Sequence, residues 1–175
     1  MRDKYLTILH QLISQQPPPG SLRDELLELS LSTWSEFLDE VRDSGLTALV
    51  CAQLKKLTVF DSIPELYQQS MHAAVLTNVA RNTIFLHEAS IVLNVLKEAN
   101  ISSIGLKGVY LMDNIYQDIS LRFMSDIDLL LAKKDIPKAL KVCETLGYEP
   151  TTYFNINDEN FDIKHVPPLK KKPGP

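Results

Sequence analysis

The chain has 175 residues, of which 45% are apolar and 23% are charged, and its formal net charge is −4. This length predicts one compact domain, or one core with a helical extension, and this composition excludes a disordered or collagen-like chain. The negative charge gives no general attraction to nucleic acid, so a DNA partner is not expected. Two cysteines cannot form a disulfide framework, no apolar run is long enough to cross a bilayer, and the first residues do not form a secretion signal. We therefore expect a cytoplasmic protein that does not associate with a membrane.

Short helices are predicted for the first sixty residues. Apolar residues recur at helical spacing between Tyr5 and Ile13, and the proline-rich segment 16–20 ends this first helix. The same spacing predicts further helices over 21–29, 33–41 and 46–57. These helices precede every residue that is a candidate for chemistry.

A much longer helical pattern follows. No proline or glycine interrupts residues 65–100, which predicts one long helix or two stacked helices. Its apolar stripe, with steps of three and four residues, is interrupted by Asn78 and Asn82. One interpretation is that both amides form hydrogen bonds inside a helical packing seam. The other is that they face a functional site together with Arg81.

After residue 100 the pattern changes to short strands and helices. In chain order, the sequence predicts a strand over 101–104, a turn over 105–108, a helix over 109–116, a loop over 117–124, a strand over 125–131, a helix over 134–146, and strands over 148–154 and 161–166. The tail, 167–175, is rich in proline and lysine and is not expected to continue a strand. The prediction is an α+β or α/β fold, in which a helical region (1–100) packs on a small mixed β-sheet core (101–175).

Asp126 and Asp128 form a pair of carboxylates on the predicted strand over 125–131. Side chains alternate along a strand, so both carboxylates leave the same face, with Cα atoms roughly 6.5 Å apart. Such close negative charges repel each other and are stabilised by a divalent cation, for which oxygen ligands favour Mg²⁺ or Mn²⁺. The alternative is a structural role, because paired aspartates also occur in turns and helix caps.

The turn from Gly105 to Gly108 adds a possible anion site. It connects a strand to a helix, so its backbone N–H groups can bind phosphate, and Lys107 can add a positive charge. Alternatively, the two glycines only relieve steric strain in an ordinary turn. Together with the carboxylate pair, the turn predicts a nucleoside triphosphate bridged by Mg²⁺.

These residues carry a resemblance to a known family. The turn 105–108, Tyr116 and the segment 121–130 (Leu-Arg-Phe-Met-Ser-Asp-Ile-Asp-Leu-Leu) resemble the signature of the bacterial uncharacterised nucleotidyltransferase family, within the DNA polymerase beta-like nucleotidyltransferase superfamily. Weaker matches are Arg81-Asn82, Gly147-Tyr148 and the segment 165–169. The resemblance implies a mixed sheet flanked by helices, and transfer of a nucleoside monophosphate from a nucleoside triphosphate to an acceptor hydroxyl or phosphate.

The resemblance also implies roles for particular residues. Asp126 and Asp128 match the catalytic, metal-binding aspartates, and the substrate-binding candidates are Lys107, Gly108, Arg122 and Ser125. For Arg122 a salt bridge to Asp118 or Asp126 is an equal alternative to a phosphate contact.

Two departures from the family pattern bear on activity. The superfamily usually has Gly-Ser or Gly-Gly where this chain has Lys107-Gly108. It also needs a third carboxylate on a later strand, which in the resembling family follows the turn at 173–175. The sequence ends at that turn, so we expect a fragment or a shortened member, in which Asp162 is the nearest substitute.

Two other functions are considered beside nucleotidyl transfer. Without the third carboxylate, the chain would be a non-catalytic nucleotide-binding or regulatory relative. An Asp-x-Asp pair can also bind a sugar nucleotide through Mn²⁺ in glycosyltransferase-like proteins, but such domains normally carry a longer nucleotide-binding half. If the chain is a transferase, its acceptor is a small molecule, a protein or an RNA end, and the sequence does not distinguish them.

Overall fold

A computed structural model of the chain describes residues 2–14, 20–153 and 166–172. Its helices, in chain order, are α1 (Arg2–Ile13), α2 (Gly20–Leu27), α3 (Leu31–Asp43), α4 (Thr47–Lys56), α5 (Glu65–Glu98), α6 (Lys107–Leu111) and α7 (Ile136–Thr145). Its strands are β1 (Ser103–Gly105), β2 (Leu129–Leu131), β3 (Tyr148–Pro150) and β4 (Leu169–Lys171). The predicted α+β class is confirmed. Among the described residues, no helix combines the length and the apolar character needed to cross a bilayer.

The chain divides into two compact units. The first contains Met1–Phe85 and Tyr110–Asp126, and the second contains Leu86–Val109 and Ile127–Pro175. The division predicted at residue 100 stays a prediction.

The first unit has a helical core. Apolar side chains from α1 to α4 and from the start of α5 bury one another, and the fully buried ones include Ile8, Leu26, Phe37 and Leu54. Burying one such side chain contributes about 1.5–3 kcal/mol, so this core is the main source of the unit's stability. The four short helices predicted from apolar spacing are therefore confirmed, with ends that differ by a few residues.

Helix α5 is continuous over 34 residues, from Glu65 to Glu98. It is about 50 Å long at 1.5 Å per residue, so the prediction of one long helix is confirmed over that of two stacked helices. Its amino-terminal part belongs to the first unit and its carboxyl-terminal part to the second.

The second unit contains two separate antiparallel strand pairs. Strand β1 pairs with β2, with Ser103 opposite Leu131 and Gly105 opposite Leu129, and β3 pairs with β4. The core of this unit is formed by Val92, Leu96, Ile101, Ala139 and Cys143. Helix α7 and the end of α5 thus supply most of the surface on which these strands pack.

The strand predicted over 125–131 is shorter than expected. Only Leu129–Leu131 is a strand, and both aspartates lie in the irregular segment before it, so their predicted placement on a strand is wrong. The reason is the length of the partner strand. After Gly105 one further backbone bond forms, from Leu106 N to Asp128 O (2.8 Å), and the chain then enters α6 at Lys107.

The tail prediction is also wrong in part. Leu169–Lys171 forms β4 and pairs with β3, with Leu169 opposite Pro150. These three residues follow the prolines and keep their N–H groups, so a short strand pair is possible. The strand predicted over 161–166 lies outside the described residues except for Val166, and Asp162 also lies outside them.

A charged cluster ties this strand pair to α5. Both carboxylate oxygens of Glu88 accept hydrogen bonds from Lys171 Nζ, at 2.8 and 2.7 Å, and Tyr148 OH donates to Glu88 Oε2 at 2.9 Å. The hydrogen bond from Lys171 lowers the pKa of Glu88. Burial, and then the hydrogen bond to the Glu88 carboxylate, raise the pKa of Tyr148 to about 12.

The stability of the protein should therefore depend on pH at both extremes. Glu88 has a lowered pKa, so its contribution is present above its ordinary pKa of 4.5 and is lost as the pH falls through the lowered value. Tyr148 has a raised pKa, so its contribution is complete below pH 10 and is lost as the pH rises from 10.0 to about 12. The midpoint of thermal unfolding, recorded as a function of pH, measures the contributions of Glu88 and Tyr148. Glu88→Gln should flatten the acid side and Tyr148→Phe the alkaline side. Curves parallel to that of the wild type would contradict the assignment.

Candidate functional site

The turn between β1 and α6 has a constrained backbone. Lys107 has a φ of 43°, in the left-handed region that a residue with a side chain rarely adopts. A Cβ added at Gly105 would lie 3.0 Å from Val109 Cγ1, so close packing against the first turn of α6 favours glycine there. Gly108 is buried. The turn thus has a fixed shape, and its glycines are explained at least in part by packing.

The same turn brings Lys107 to Asp128. Lys107 Nζ lies 2.6 Å from Asp128 Oδ2, and the lysine side chain is 65% exposed while the aspartate side chain is 31% exposed. The Oδ2 atom itself is buried and has no partner with hydrogen-bond geometry, so we describe the contact as an ion pair. Two residues that the sequence predicts for the site are therefore adjacent, and the Asp128 carboxylate already lies against a cation.

Asp126 is in a different environment. Its side chain is exposed, and Ser125 Oγ donates a hydrogen bond to its Oδ1 at 3.3 Å. Asp126 and Ser125 belong to the first unit and Asp128 to the second, with only Ile127 between the two aspartates in the chain. The predicted roles of these residues in binding metal and substrate stay predictions.

The loop that precedes Asp126 is held by amides of α5. Asn78 Nδ2 donates to Ser120 O at 2.8 Å, and Asn82 Nδ2 donates to Ile119 O at 2.5 Å and to Arg122 O at 2.6 Å. Asn78 is 6% exposed and Asn82 is fully buried. These amides bind loop carbonyls and not another helix, so the packing-seam interpretation is wrong, and the interpretation that they face a functional site stays a prediction.

Arg81 lies on the same face of α5 and contacts the same loop. Its Nε donates to Met124 O at 2.8 Å. Its guanidinium lies 4.6 Å from the centre of the Phe123 ring and 5.3 Å from that of Phe85, which are distances for cation–π contacts. The loop is therefore bound to α5 through polar side chains and one aromatic ring.

Arg122 lies in this loop, and its guanidinium forms no ion pair with any carboxylate in the described part of the chain. The alternative of a salt bridge to Asp118 or Asp126 is therefore not found. Asp118 instead accepts a hydrogen bond from Ser120 N at 2.8 Å. Arg122 Nε is buried and has no hydrogen-bond acceptor among the described residues.

Asp126 and Asp128 offer carboxylate oxygens, which suit Mg²⁺ or Mn²⁺ better than metals that prefer imidazole and thiolate ligands. Within residues 2–14, 20–153 and 166–172, no three His, Cys, Asp or Glu side chains are grouped to hold a metal ion. Mg²⁺ is commonly bound by one or two carboxylates, with water and substrate phosphates completing the coordination. The exposed carboxylate of Asp126 and the Oδ2 of Asp128, which lacks a hydrogen bond, are suitable ligands of this kind.

A comparison with protein families identifies the chain at the family level. A family model described as an uncharacterised nucleotidyltransferase matches residues 30–172. The chain belongs to this nucleotidyltransferase family. The match covers both units, the turn at 105–108 and both aspartates. Neither a search of curated proteins nor a search of solved structures finds a match. The family supports a general nucleotidyltransferase role.

Sequence reasoning missed two features of this nucleotidyltransferase. It did not include Asn78 among the site residues, and it did not pair Lys107 with Asp128. The interruption of an apolar stripe by Asn78 and Asn82 is a usable signal, because buried amides need partners. The identity of their partners depends on the path of a loop some 40 residues away, which no local pattern specifies.

The left-handed backbone of Lys107 leads to a stability prediction. We expect Lys107→Gly to be more stable than Lys107→Ala by about 1 kcal/mol, because only glycine adopts this conformation without steric cost. Both variants lose the ion pair equally, and with such an exposed lysine it contributes at most about 1 kcal/mol. Urea unfolding of the two variants measures the difference.

A matched control is available on α7. Lys141 is exposed within that helix, where the order should be reversed, with Lys141→Ala more stable than Lys141→Gly. The same order at both positions would show that the backbone of Lys107 is not strained.

Proposed function

We propose that this chain transfers a nucleoside monophosphate from a nucleoside triphosphate to an acceptor hydroxyl or phosphate, with release of pyrophosphate. The proposal starts from the family, which supports nucleotidyl transfer in general. The observation that carries it further is the ion pair of Lys107 with Asp128, 2.6 Å apart. A cation-binding carboxylate and a phosphate-binding turn are what a metal-bound triphosphate requires at neighbouring positions.

Asp126 and Asp128 are the proposed ligands for Mg²⁺ or Mn²⁺. The chemistry that a bound ion supplies is neutralisation of the negative charge on the phosphates and on the departing pyrophosphate. Each carboxylate would supply an oxygen ligand of the kind that such an ion binds.

The remaining candidates bind the phosphates in this proposal. Lys107 exchanges its contact with Asp128 for one with a phosphate oxygen, and the backbone N–H of Gly108 binds a second oxygen. Arg122 has an unpaired donor and is the proposed contact for further phosphate charge. Ser125, whose hydroxyl now binds Asp126, either keeps that carboxylate in place or donates to substrate.

Binding of a nucleoside triphosphate should require the metal and both aspartates. The expected result, by calorimetry with non-hydrolysable analogues of the four nucleoside triphosphates, is binding in the presence of Mg²⁺ that weakens by about tenfold or more in Asp126→Asn or Asp128→Asn. Asp113→Asn is a suitable control, because Asp113 is exposed and lies outside the proposed site. Equal affinity with and without Mg²⁺, or in the two site variants, would contradict the proposal.

If Lys107 exchanges Asp128 for a phosphate oxygen, its replacement should raise the affinity for a metal ion and lower the affinity for the triphosphate. Lys107→Ala removes the cation that competes for Asp128, so the affinity for Mn²⁺ alone should increase severalfold, by up to about fivefold. The same variant should bind the Mg²⁺ complex of the triphosphate about tenfold more weakly, because a phosphate contact is lost. Electron paramagnetic resonance of free Mn²⁺ measures the first effect and calorimetry the second. Changes in the same direction would show that Lys107 does not exchange partners.

An alternative is a nucleotide-binding or regulatory module that does not transfer the nucleotide. It is favoured by the donor set, because the described residues offer no third carboxylate grouped with the pair. Both functions predict nucleotide binding, but only the transferase predicts covalent transfer of the nucleotide to an acceptor. Incubation of labelled nucleoside triphosphates with small-molecule hydroxyls, proteins and RNA ends distinguishes them, since covalent transfer to any acceptor would exclude the module.

A further inference from the structure

The loop over residues 117–125, between the helical turn at 112–116 and Asp126, has no regular secondary structure. Several of its backbone carbonyls nevertheless form hydrogen bonds with side chains of helix α5. Four of its carbonyls, those of Ile119, Ser120, Arg122 and Met124, accept hydrogen bonds from α5. The donors are Asn78, Arg81 and Asn82, at positions i, i+3 and i+4, which lie on one helix face. We call these three residues the α5 bracket.

The bracket is a strong constraint because it is buried. Asn82 is fully buried and supplies two of the hydrogen bonds, and the loop residues Ser120 and Met124 are 8% and 2% exposed. A buried carbonyl that loses its donor retains the full cost of its desolvation. The loop therefore cannot leave α5 without breaking one buried and three part-buried hydrogen bonds at once.

The constraint is centred on Arg122. Its own carbonyl is bound, as are those of Ser120 and Met124, two residues before and after it, whereas its Nε is buried and has no acceptor among the described residues. A fold that needed Arg122 only for packing could use an apolar side chain, which would leave no donor unpaired. A backbone fixed on both sides of an unpaired cationic donor is instead the arrangement expected when the partner is a ligand.

We infer that Asn78, Arg81 and Asn82 are positioning residues for substrate: they hold the loop so that Arg122 meets the phosphates and Asp126 follows in a fixed orientation. This inference rests on the proposed function and adds to it a set of residues that do not touch substrate. The bracket, Arg122 and Asp126 all belong to the first unit.

The test is a double-mutant cycle between Asn82 and Arg122 in the full chain. Asn82→Ala, Arg122→Ala and the double variant are titrated with the Mg²⁺ complexes of non-hydrolysable nucleoside triphosphate analogues, at a temperature where circular dichroism shows each variant folded. Each single variant should lose about tenfold in affinity. The double variant should lose clearly less than the sum of the two single losses, because part of the effect of Asn82 acts through Arg122.

Amide hydrogen exchange gives a readout that does not depend on ligand. In Asn82→Ala, exchange in the peptide covering 118–126 should rise by about tenfold or more, while exchange in α3 and α4 stays unchanged. Asn94→Ala is the matched control, since Asn94 lies on the same helix but is exposed and donates to no loop carbonyl in the described part of the chain. If Asn82→Ala does not fold, Asn78→Ala removes a single hydrogen bond and takes its place in the cycle.

The outcomes separate this inference from the proposed function. If the wild-type chain binds no triphosphate analogue, both are overturned. If it binds but the losses at Asn82 and Arg122 are additive, or if exchange over 118–126 does not change, only the positioning role is overturned. Non-additive losses together with faster loop exchange support it.

Discussion

The contact between Lys107 and Asp128 depends on the backbone more than on the two side chains. Strand β1 is only three residues long, and the chain enters α6 in a left-handed conformation at Lys107, with a φ of 43°. The hydrogen bond from Leu106 N to Asp128 O aligns the end of β1 with the residue before β2. The short strand pair and the strained turn together determine that an ammonium lies against a carboxylate. A longer β1 would move the lysine past Asp128, and the turn proposed to bind phosphate would no longer lie beside the proposed metal ligand.

The α5 bracket shows why a buried helix face keeps polar residues. An apolar residue at Asn82 would pack against the loop, but it would leave the carbonyls of Ile119 and Arg122 without donors. An irregular loop needs such donors because it has no neighbouring strand or helical turn to satisfy its backbone. The side-chain amides of Asn78 and Asn82 therefore supply hydrogen bonds that a neighbouring strand or helical turn would otherwise supply. This explains the interruptions in the apolar stripe better than a helix–helix packing seam does.

The sequence predicts well what is determined locally. The continuous helix α5 and the turn at 105–108 follow from glycine, proline and apolar spacing within one segment. Prediction fails where the structure of a segment depends on a partner segment. The strand predicted over 125–131 needs a partner along its length, but that partner turns into α6, so only Leu129–Leu131 pairs. Strand β4 forms in a tail of unfavourable composition because β3 offers it a free edge. The ion pair at Asp128 and the carbonyls bound by Asn78 and Asn82 depend on tertiary placement in the same way.

Asp128 has to meet two conflicting requirements. Its Oδ2 is buried, and a buried carboxylate without a nearby cation is costly, yet a carboxylate bound strongly by the protein would not bind a metal ion. Lys107 provides charge compensation that is weak enough to be replaced, because its side chain is 65% exposed and such pairs contribute at most about 1 kcal/mol. An arginine with two hydrogen bonds would compensate the charge better and would compete more strongly with the ion. A long, flexible lysine therefore suits a carboxylate that is stable alone and that, in the proposed function, binds a divalent cation; the displaced ammonium would then bind a phosphate oxygen.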